Sequence, residues 1–268
     1  MTDHQPRRFG LFAATAALFA VAGAVAGWWF QQHRAGSPDA ADAQLEASLA
    51  SAGISSKERA AIESLVRAYI LDHPEVLPEA MERLHRRDAE SRLAPMRAEV
   101  EKPFPGAILG NPQGRVTLVE FTDFACGYCR QSVKAIEALV AANPDLRVVV
   151  RELPIIAPES EDAARMALAA AAQGKYPAYH AAMFAGERPS ASSIAAAATA
   201  AGLDLAAART ASARADVTAE LQRNLEIARE LGINGTPAWI IGGRIINGAV
   251  PAADLQSAID AARTGKAL

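Results

Sequence analysis

The segment Val116-Thr117-Leu118-Val119-Glu120-Phe121-Thr122-Asp123-Phe124-Ala125-Cys126-Gly127-Tyr128-Cys129 runs from an apolar stretch into a Cys-x-x-Cys. Val116 to Phe121 reads as a buried strand, and the residues after Cys129 carry Val133, Ile136 and Val140 at helical spacing up to Asn143-Pro144. Cys126 therefore falls where a strand ends and a helix opens. Unpaired backbone N–H groups at that point favour negative charge. A cysteine there is expected to titrate below its free value of about 8.5. Cys129 lies one turn later on the same face, close enough to bridge.

Downstream, Leu146-Arg147-Val148-Val149-Val150 forms a second apolar strand. A strand, a helical crossover and a strand imply parallel pairing. A long Ala-rich block from Pro158 to Leu231 has helical patterning and no strand. The chain returns to strand at Ala238-Trp239-Ile240-Ile241, turns at Gly242-Gly243, pairs back through Arg244-Ile245-Ile246, and ends in a helix from Pro251 to about Arg263. This order predicts an α/β thioredoxin fold with an inserted helical subdomain over about 158–231, the whole domain spanning 103–268.

Upstream, Lys102-Pro103-Phe104-Pro105-Gly106 reads as a boundary. Residues 55–102 form a helical region. It opens with a Ser55-x-x-Glu58 capping box and carries Ile62, Leu65, Val66, Tyr69 and Ile70 on one face up to His73-Pro74. A second helix from about Glu75 places Leu77, Ala80, Met81 and Leu84 together, then crosses a charged stretch containing Pro95. Two amphipathic helices of this size cannot bury both stripes alone. They need the parent domain or another subunit, and self-association is the expectation taken forward. Residues 35–54, rich in Ala, Ser, Asp and Gly, read as a linker.

Residues 1–34 read as a signal-anchor or signal peptide. Arg7-Arg8 precedes an apolar run from Phe9 to Phe30, about the length of a membrane-spanning helix. Ala24-Val25-Ala26 resembles a cleavage site, whereas Trp28-Trp29-Phe30 followed by Gln31-Gln32-His33-Arg34 resembles an interfacial belt and favours retention. Either way the remainder is exported, and the expected location is the periplasm, with a tether to the inner membrane through residues 9–30.

With 268 residues, 51% hydrophobic, and a net charge of −3, the chain lacks the basic signature of nucleic-acid binding. Two cysteines exclude a stapled scaffold. The pair can attack a substrate disulfide and resolve the product intramolecularly. A purely structural bridge would close too short a loop to stabilise much. Zinc would need two further ligands, and His4, His33, His73, His85 and His180 show no metal-ligand spacing. No cofactor or metal is expected. Binding of Cu(I) by the two thiolates is the chemical alternative.

Two further elements join the pair. Gly235-Thr236-Pro237 precedes the strand at Ala238, either as punctuation or as a cis-proline loop whose Thr236 backbone could pair with an extended substrate. Glu120 either faces water by strand alternation or points inward. Inward, burial would raise its pKa and make it a proton acceptor for Cys129.

Together, Glu120 to Cys129, Glu152-Leu153-Pro154-Ile155, Gln173-Gly174-Lys175-Tyr176 and Gly232-Ile233-Asn234-Gly235-Thr236-Pro237 resemble the DsbA family of thioredoxin-fold proteins, and the helical pair before them looks like the ScsC-like branch. The resemblance implies thiol:disulfide oxidoreductase activity, with Cys126 as nucleophile, Cys129 as resolver and cis-Pro237. Gly127, Tyr128, Thr236 and Pro237 become candidates for substrate contact. It also implies exported protein substrates with cysteines, a membrane partner that recycles the pair, and a homotrimer built through residues 55–102. Gly127-Tyr128 departs from the Pro-His of DsbA oxidases and is similar to the dipeptide of disulfide isomerases, which favours shuffling or reduction over net oxidation.

Overall fold

A computed structural model of the chain describes residues 38–264, which divide into two compact units meeting between Pro78 and Glu79. The expected membrane segment over 9–30 lies outside the described residues. Among those described, no helix is long and apolar enough to cross a membrane.

The first unit holds α1 (Pro38–Ser51), α2 (Ser56–Asp72) and the opening of α3 (Val76–Val100). The linker expected over 35–54 is corrected here, because most of it forms α1. Pro38 suits the first helical position, and alanines supply propensity where no packing is needed. At α2 the capping box forms: Ser55 Oγ accepts from the Glu58 N–H, and Glu58 accepts from the Ser55 N–H. No residue of α2 is buried, and Ile62, Leu65, Val66, Tyr69 and Leu71 stand exposed.

The second unit is built on a five-stranded sheet ordered β1-β3-β2-β4-β5, comprising β1 (Ile108–Gly110), β2 (Val116–Thr122), β3 (Leu146–Glu152), β4 (Ala238–Ile241) and β5 (Arg244–Asn247). β2 and β3 run parallel, joined through α4 (Gly127–Ala142), while β1 and β4 flank them antiparallel and β5 closes a hairpin with β4. Both central strands are buried on both faces, which their near-continuous apolar sequence requires. Five helices separate β3 from β4: α5 (Ser160–Ala172), α6 (Tyr176–Ala185), α7 (Ala191–Ala200), α8 (Leu205–Ser212) and α9 (Ala215–Leu231). A final helix, α10 (Ala252–Thr264), packs on β2, β4 and α4.

Strand alternation splits the core in two. Val116, Leu118, Val148, Val150, Trp239 and Ile241 point into the larger half, which also contains Cys126, Cys129 and the inserted helices. Val119, Phe121, Val149, Ala238 and Ile240 point the other way, against Ile227, Ala228 and Leu231 of α9 and against Leu93 and Val100 of α3.

That last contact corrects the domain start expected at 103. The C-terminal half of α3 is part of the thioredoxin unit, which begins at Glu79. Arg151 of β3, almost fully buried, fastens it. Its guanidinium donates to the carbonyls of Glu99, Val100 and Lys102 at the end of α3 and to Asn224 Oδ1 and Glu220 Oε1 on α9. A cation on the last carbonyls of a helix satisfies groups that would otherwise be orphaned. Pro95 lies inside α3 without ending it.

Candidate active site

β2 ends at Thr122 and α4 starts at Gly127, so the four residues between carry the chain from strand to helix. Cys126 is the N-cap residue of α4, with φ −79° and ψ 119°, and its sulfur accepts the Cys129 N–H at 3.3 Å. An N-cap usually offers an oxygen to that amide; here it offers sulfur. The Cys126 thiol in turn points at the Thr236 carbonyl oxygen, 3.2 Å away. Thr236-Pro237 is a cis peptide. The structure thus brings together the Cys-x-x-Cys and the Thr-Pro segment. Both cysteines are free thiols.

The two sulfurs differ in surroundings. Cys126 is 5% exposed and Cys129 1%, and burial pushes the Cys129 thiol up, far above the ordinary range. A group that is hard to ionise and shielded is suited to act second, after a substrate is already attached. Gly127 and Tyr128, between the two cysteines in the chain, are both exposed. A Cβ at Gly127 would meet no atom within 4 Å, so no steric demand fixes glycine there. Tyr128 is 64% exposed.

Glu120 points inward. It shares a face of β2 with Leu118 and Thr122, on the side of the sheet that holds the cysteines, and is buried. Its Oε2 has no hydrogen-bond partner, and burial raises its carboxyl to about 8. No direct hydrogen bond joins it to Cys129 among the described residues.

Two side chains near the pair, Asp123 and Glu152, had no role assigned from the sequence. Asp123 is buried and accepts four hydrogen bonds: Ala125 N–H and Ser160 Oγ–H on Oδ1, and the Ile155 and Ile156 N–H groups on Oδ2. Glu152 pairs with Thr122 across β2 and β3, is fully buried, and accepts the Tyr176 hydroxyl at 2.6 Å. Burial drives its carboxyl well above the carboxylate range, helped by the negative charges of Asp123 and Glu120. The signal for both was a polar residue inside or at the end of an apolar segment. What hid them is that their partners come from other elements. No group of three His, Cys, Asp or Glu side chains converges as a metal site among the described residues.

Residues 117–260 match the family of DSBA-like thioredoxin domains, and residues 58–90 match the copper resistance protein ScsC N-terminal domain. Among solved structures, a thioredoxin-like oxidoreductase from Silicibacter pomeroyi is 39% identical, covering 59% of this chain and 91% of that one, with a TM-score of 0.57. A linker-deleted ScsC of Proteus mirabilis superposes with a TM-score of 0.61 at 26% identity, over 79% of this chain and 97% of the other. A thiol-disulfide exchange protein of Wolbachia pipientis gives 0.60 at 25% identity, over 65% and 95%. The chain spans about a quarter of the length of the curated relatives it matches, such as an Na(+)/H(+) antiporter NhaA of Salinispora tropica, 29% identical over 157 residues that make up 57% of this chain and 24% of that protein.

Proposed function

The chain belongs to the DSBA-like thioredoxin family, and from that premise we propose that it is a thiol–disulfide oxidoreductase acting on exported proteins in the periplasm. The observation that carries the reading is the sulfur of Cys126, held between the Cys129 N–H and the Thr236 carbonyl at the opening of α4.

In the reductive direction, Cys126 attacks one sulfur of a client disulfide. A mixed disulfide forms and the other client sulfur leaves as a thiolate. Cys129 then loses its proton, attacks Cys126 Sγ, and expels the second client thiolate, leaving a Cys126–Cys129 disulfide and a client reduced by two electrons. The oxidative direction reverses each bond change. Glu120 is the proton exchange group for Cys129. With its carboxyl near 8, both protonated and ionised forms are populated around neutral pH, so it can donate when Cys129 leaves and accept when Cys129 attacks. The Thr236 backbone pairs with the client segment, with Pro237 closing the loop and Gly127 and Tyr128 facing the incoming chain.

The uncharged Gly127-Tyr128 dipeptide and the exposed apolar face of α2 support shuffling or reduction over net oxidation, with self-association, as a trimer, through residues 55–102. Residues 9–30 tether the protein to the inner membrane, where a membrane redox partner recycles the pair. The match of residues 58–90 to a copper resistance protein's domain favours a second reading, sequestration of Cu(I) by the two thiolates without turnover.

Scrambled ribonuclease decides between these. The reduced protein should restore ribonuclease activity, and Cys126→Ser should abolish the effect. Rescue that survives Cys126→Ser excludes the oxidoreductase reading, and activity confined to fully reduced ribonuclease excludes shuffling. A tight, stoichiometric Cu(I) complex without any thiol exchange would support sequestration.

A further inference from the structure

Among the described residues, six buried side-chain atoms have no hydrogen-bond partner, and four of them gather at one site. Glu120 Oε2, Thr122 Oγ1 and Glu152 Oε2 belong to the cysteine end of β2 and β3. Thr236 Oγ1 belongs to the residue whose carbonyl meets Cys126. A buried polar atom left unpaired costs stability, and such atoms are few in native proteins. Packing gives no reason to collect them here.

Thr122 is the clearest case. It ends β2, is wholly buried, and lies on the face shared with Glu120 and the cysteines. Its backbone is held, because it pairs with Glu152 across β2 and β3 and its carbonyl accepts the Leu153 N–H at 2.8 Å. Its hydroxyl hydrogen is free to turn. The sulfur within its reach is that of Cys129. The Thr122 and Thr236 hydroxyls and the Asp123 N–H all bear on that sulfur and favour its ionised form against the effect of burial. Neither hydroxyl is paired in the resting state, where a neutral thiol is a weak acceptor.

An anion at Cys129 needs those donors. The carboxyls of Glu120 and Glu152 share its side of the sheet and can only repel it when ionised. His180 of α6 is held neutral by burial, its pKa lowered to about 4. Arg130, next to Cys129 in the chain, is committed to the Phe184 and Gly186 carbonyls, and Arg151 to the ends of α3 and α9. Dipoles are left to carry the charge.

Resting on the oxidoreductase reading above, we infer that Thr122 is a further catalytic residue, whose hydroxyl turns onto the Cys129 sulfur while that sulfur is an anion. In the resolving step Glu120 takes the Cys129 proton and the thiolate accepts the Thr122 hydrogen bond. The thiolate's electron pair then forms the Cys129–Cys126 bond, the Cys126–client bond breaks, and the client leaves as a thiolate. With the disulfide made, the hydroxyl is unpaired again. In reverse the same donor receives Cys129 as the leaving group. A donor unpaired in both stable states and paired between them lowers the barrier without stabilising either end.

The test uses the reduced full chain and glutathione disulfide. Acid quenching at timed intervals, followed by mass spectrometry, gives two rates: formation of the mixed disulfide at Cys126, and its resolution by Cys129. Thr122→Val keeps the shape and removes the hydroxyl. It should slow resolution roughly tenfold, the effect of losing one hydrogen bond to a charged group, and leave formation within about twofold. Thr122→Ser keeps a hydroxyl and should bring resolution back to within about threefold of wild type. The denaturant midpoint of Thr122→Val should stay in place or rise, since an unpaired buried hydroxyl has been removed. Should the valine chain fail to fold, Thr122→Ala removes the same hydroxyl without added bulk and should show the same split between the two rates. Unchanged resolution without the hydroxyl would overturn the assignment. So would a serine variant as slow as the valine one, or equal slowing of both steps with a lower midpoint, which marks a structural role. A wild-type chain that forms no mixed disulfide at all would instead strike the oxidoreductase reading itself.

Discussion

The sulfur of Cys126 and the carbonyl oxygen of Thr236 lie 3.2 Å apart, although 110 positions separate them in the chain. β4 enters the sheet antiparallel to β2, so the residue before β4 comes to the end of β2 where the cysteine loop begins. The contact places a reactive group beside an open strand-like backbone. In the function proposed, a client cysteine held in extended form at Thr236 would be presented to Cys126.

Splitting the two cysteines by mutation should separate the two steps. Cys126→Ser should remove thiol exchange. Cys129→Ser should instead accumulate mixed disulfides with client proteins, visible as a heavier band on a non-reducing gel, because the first bond forms and no partner expels it. Trapping by Cys126→Ser and none by Cys129→Ser would reverse the roles assigned to the pair.

The buried carboxyl of Glu120 makes stability depend on pH in a defined direction. It binds its proton more tightly folded, near 8, than unfolded, near 4.5, so folding takes up a proton between those values and stability declines as pH rises across that window. Above pH 8 the loss is on the order of 5 kcal/mol. Glu120→Gln removes the titration. Urea unfolding at pH 5 and pH 8.5 should show the variant gaining on the wild type at the higher pH, and a pH-independent difference would contradict an inward, protonated Glu120.

Asp123→Ala should weaken the fold by about 3 kcal/mol, since the Ile155 and Ile156 amides and the Ser160 hydroxyl lose a charged acceptor together. Denaturant midpoints measure it. A change below about 0.5 kcal/mol, the size of an ordinary surface substitution, would mean the four hydrogen bonds do not hold the loop.

Along α2 and α3 the effect of a substitution should change in kind. Leu65, 69% exposed on α2, should tolerate charge: Leu65→Glu leaves the melting temperature in place and lowers the mass seen by light scattering, because it breaks self-association. Leu93, 1% exposed near the end of α3, should behave as core, with Leu93→Ala costing about 2–5 kcal/mol. An unchanged mass for Leu65→Glu would show that this face does not join copies of the chain.

The strands and the cysteine helix were legible from local pattern. β2 and β3 are apolar on both faces, and α4 carries its buried residues at helical spacing, so each element announces its own type. The inserted helices were legible as a block for the same reason. The end of α3 was not. Its sequence is highly charged, and what brings it into the thioredoxin unit is Arg151, whose five acceptors are spread over α3 and α9. A charged residue in an apolar strand carries no mark of whether partners will be waiting. Pro38–Ser51 misled in the opposite way: its composition reads as a tether, but alanine forms helix without needing anything to pack on.

The sequence by itself determined that two sulfurs stand one helical turn apart and that the first sits where a helix opens, because a Cys-x-x-Cys after an apolar strand fixes both through local geometry. Only the tertiary structure decided that Glu120 points inward, that Thr236 meets Cys126, and that Asp123 welds two loops. Each depends on strand order and register, which bring together residues far apart in the chain, and no local periodicity encodes a partner's distance.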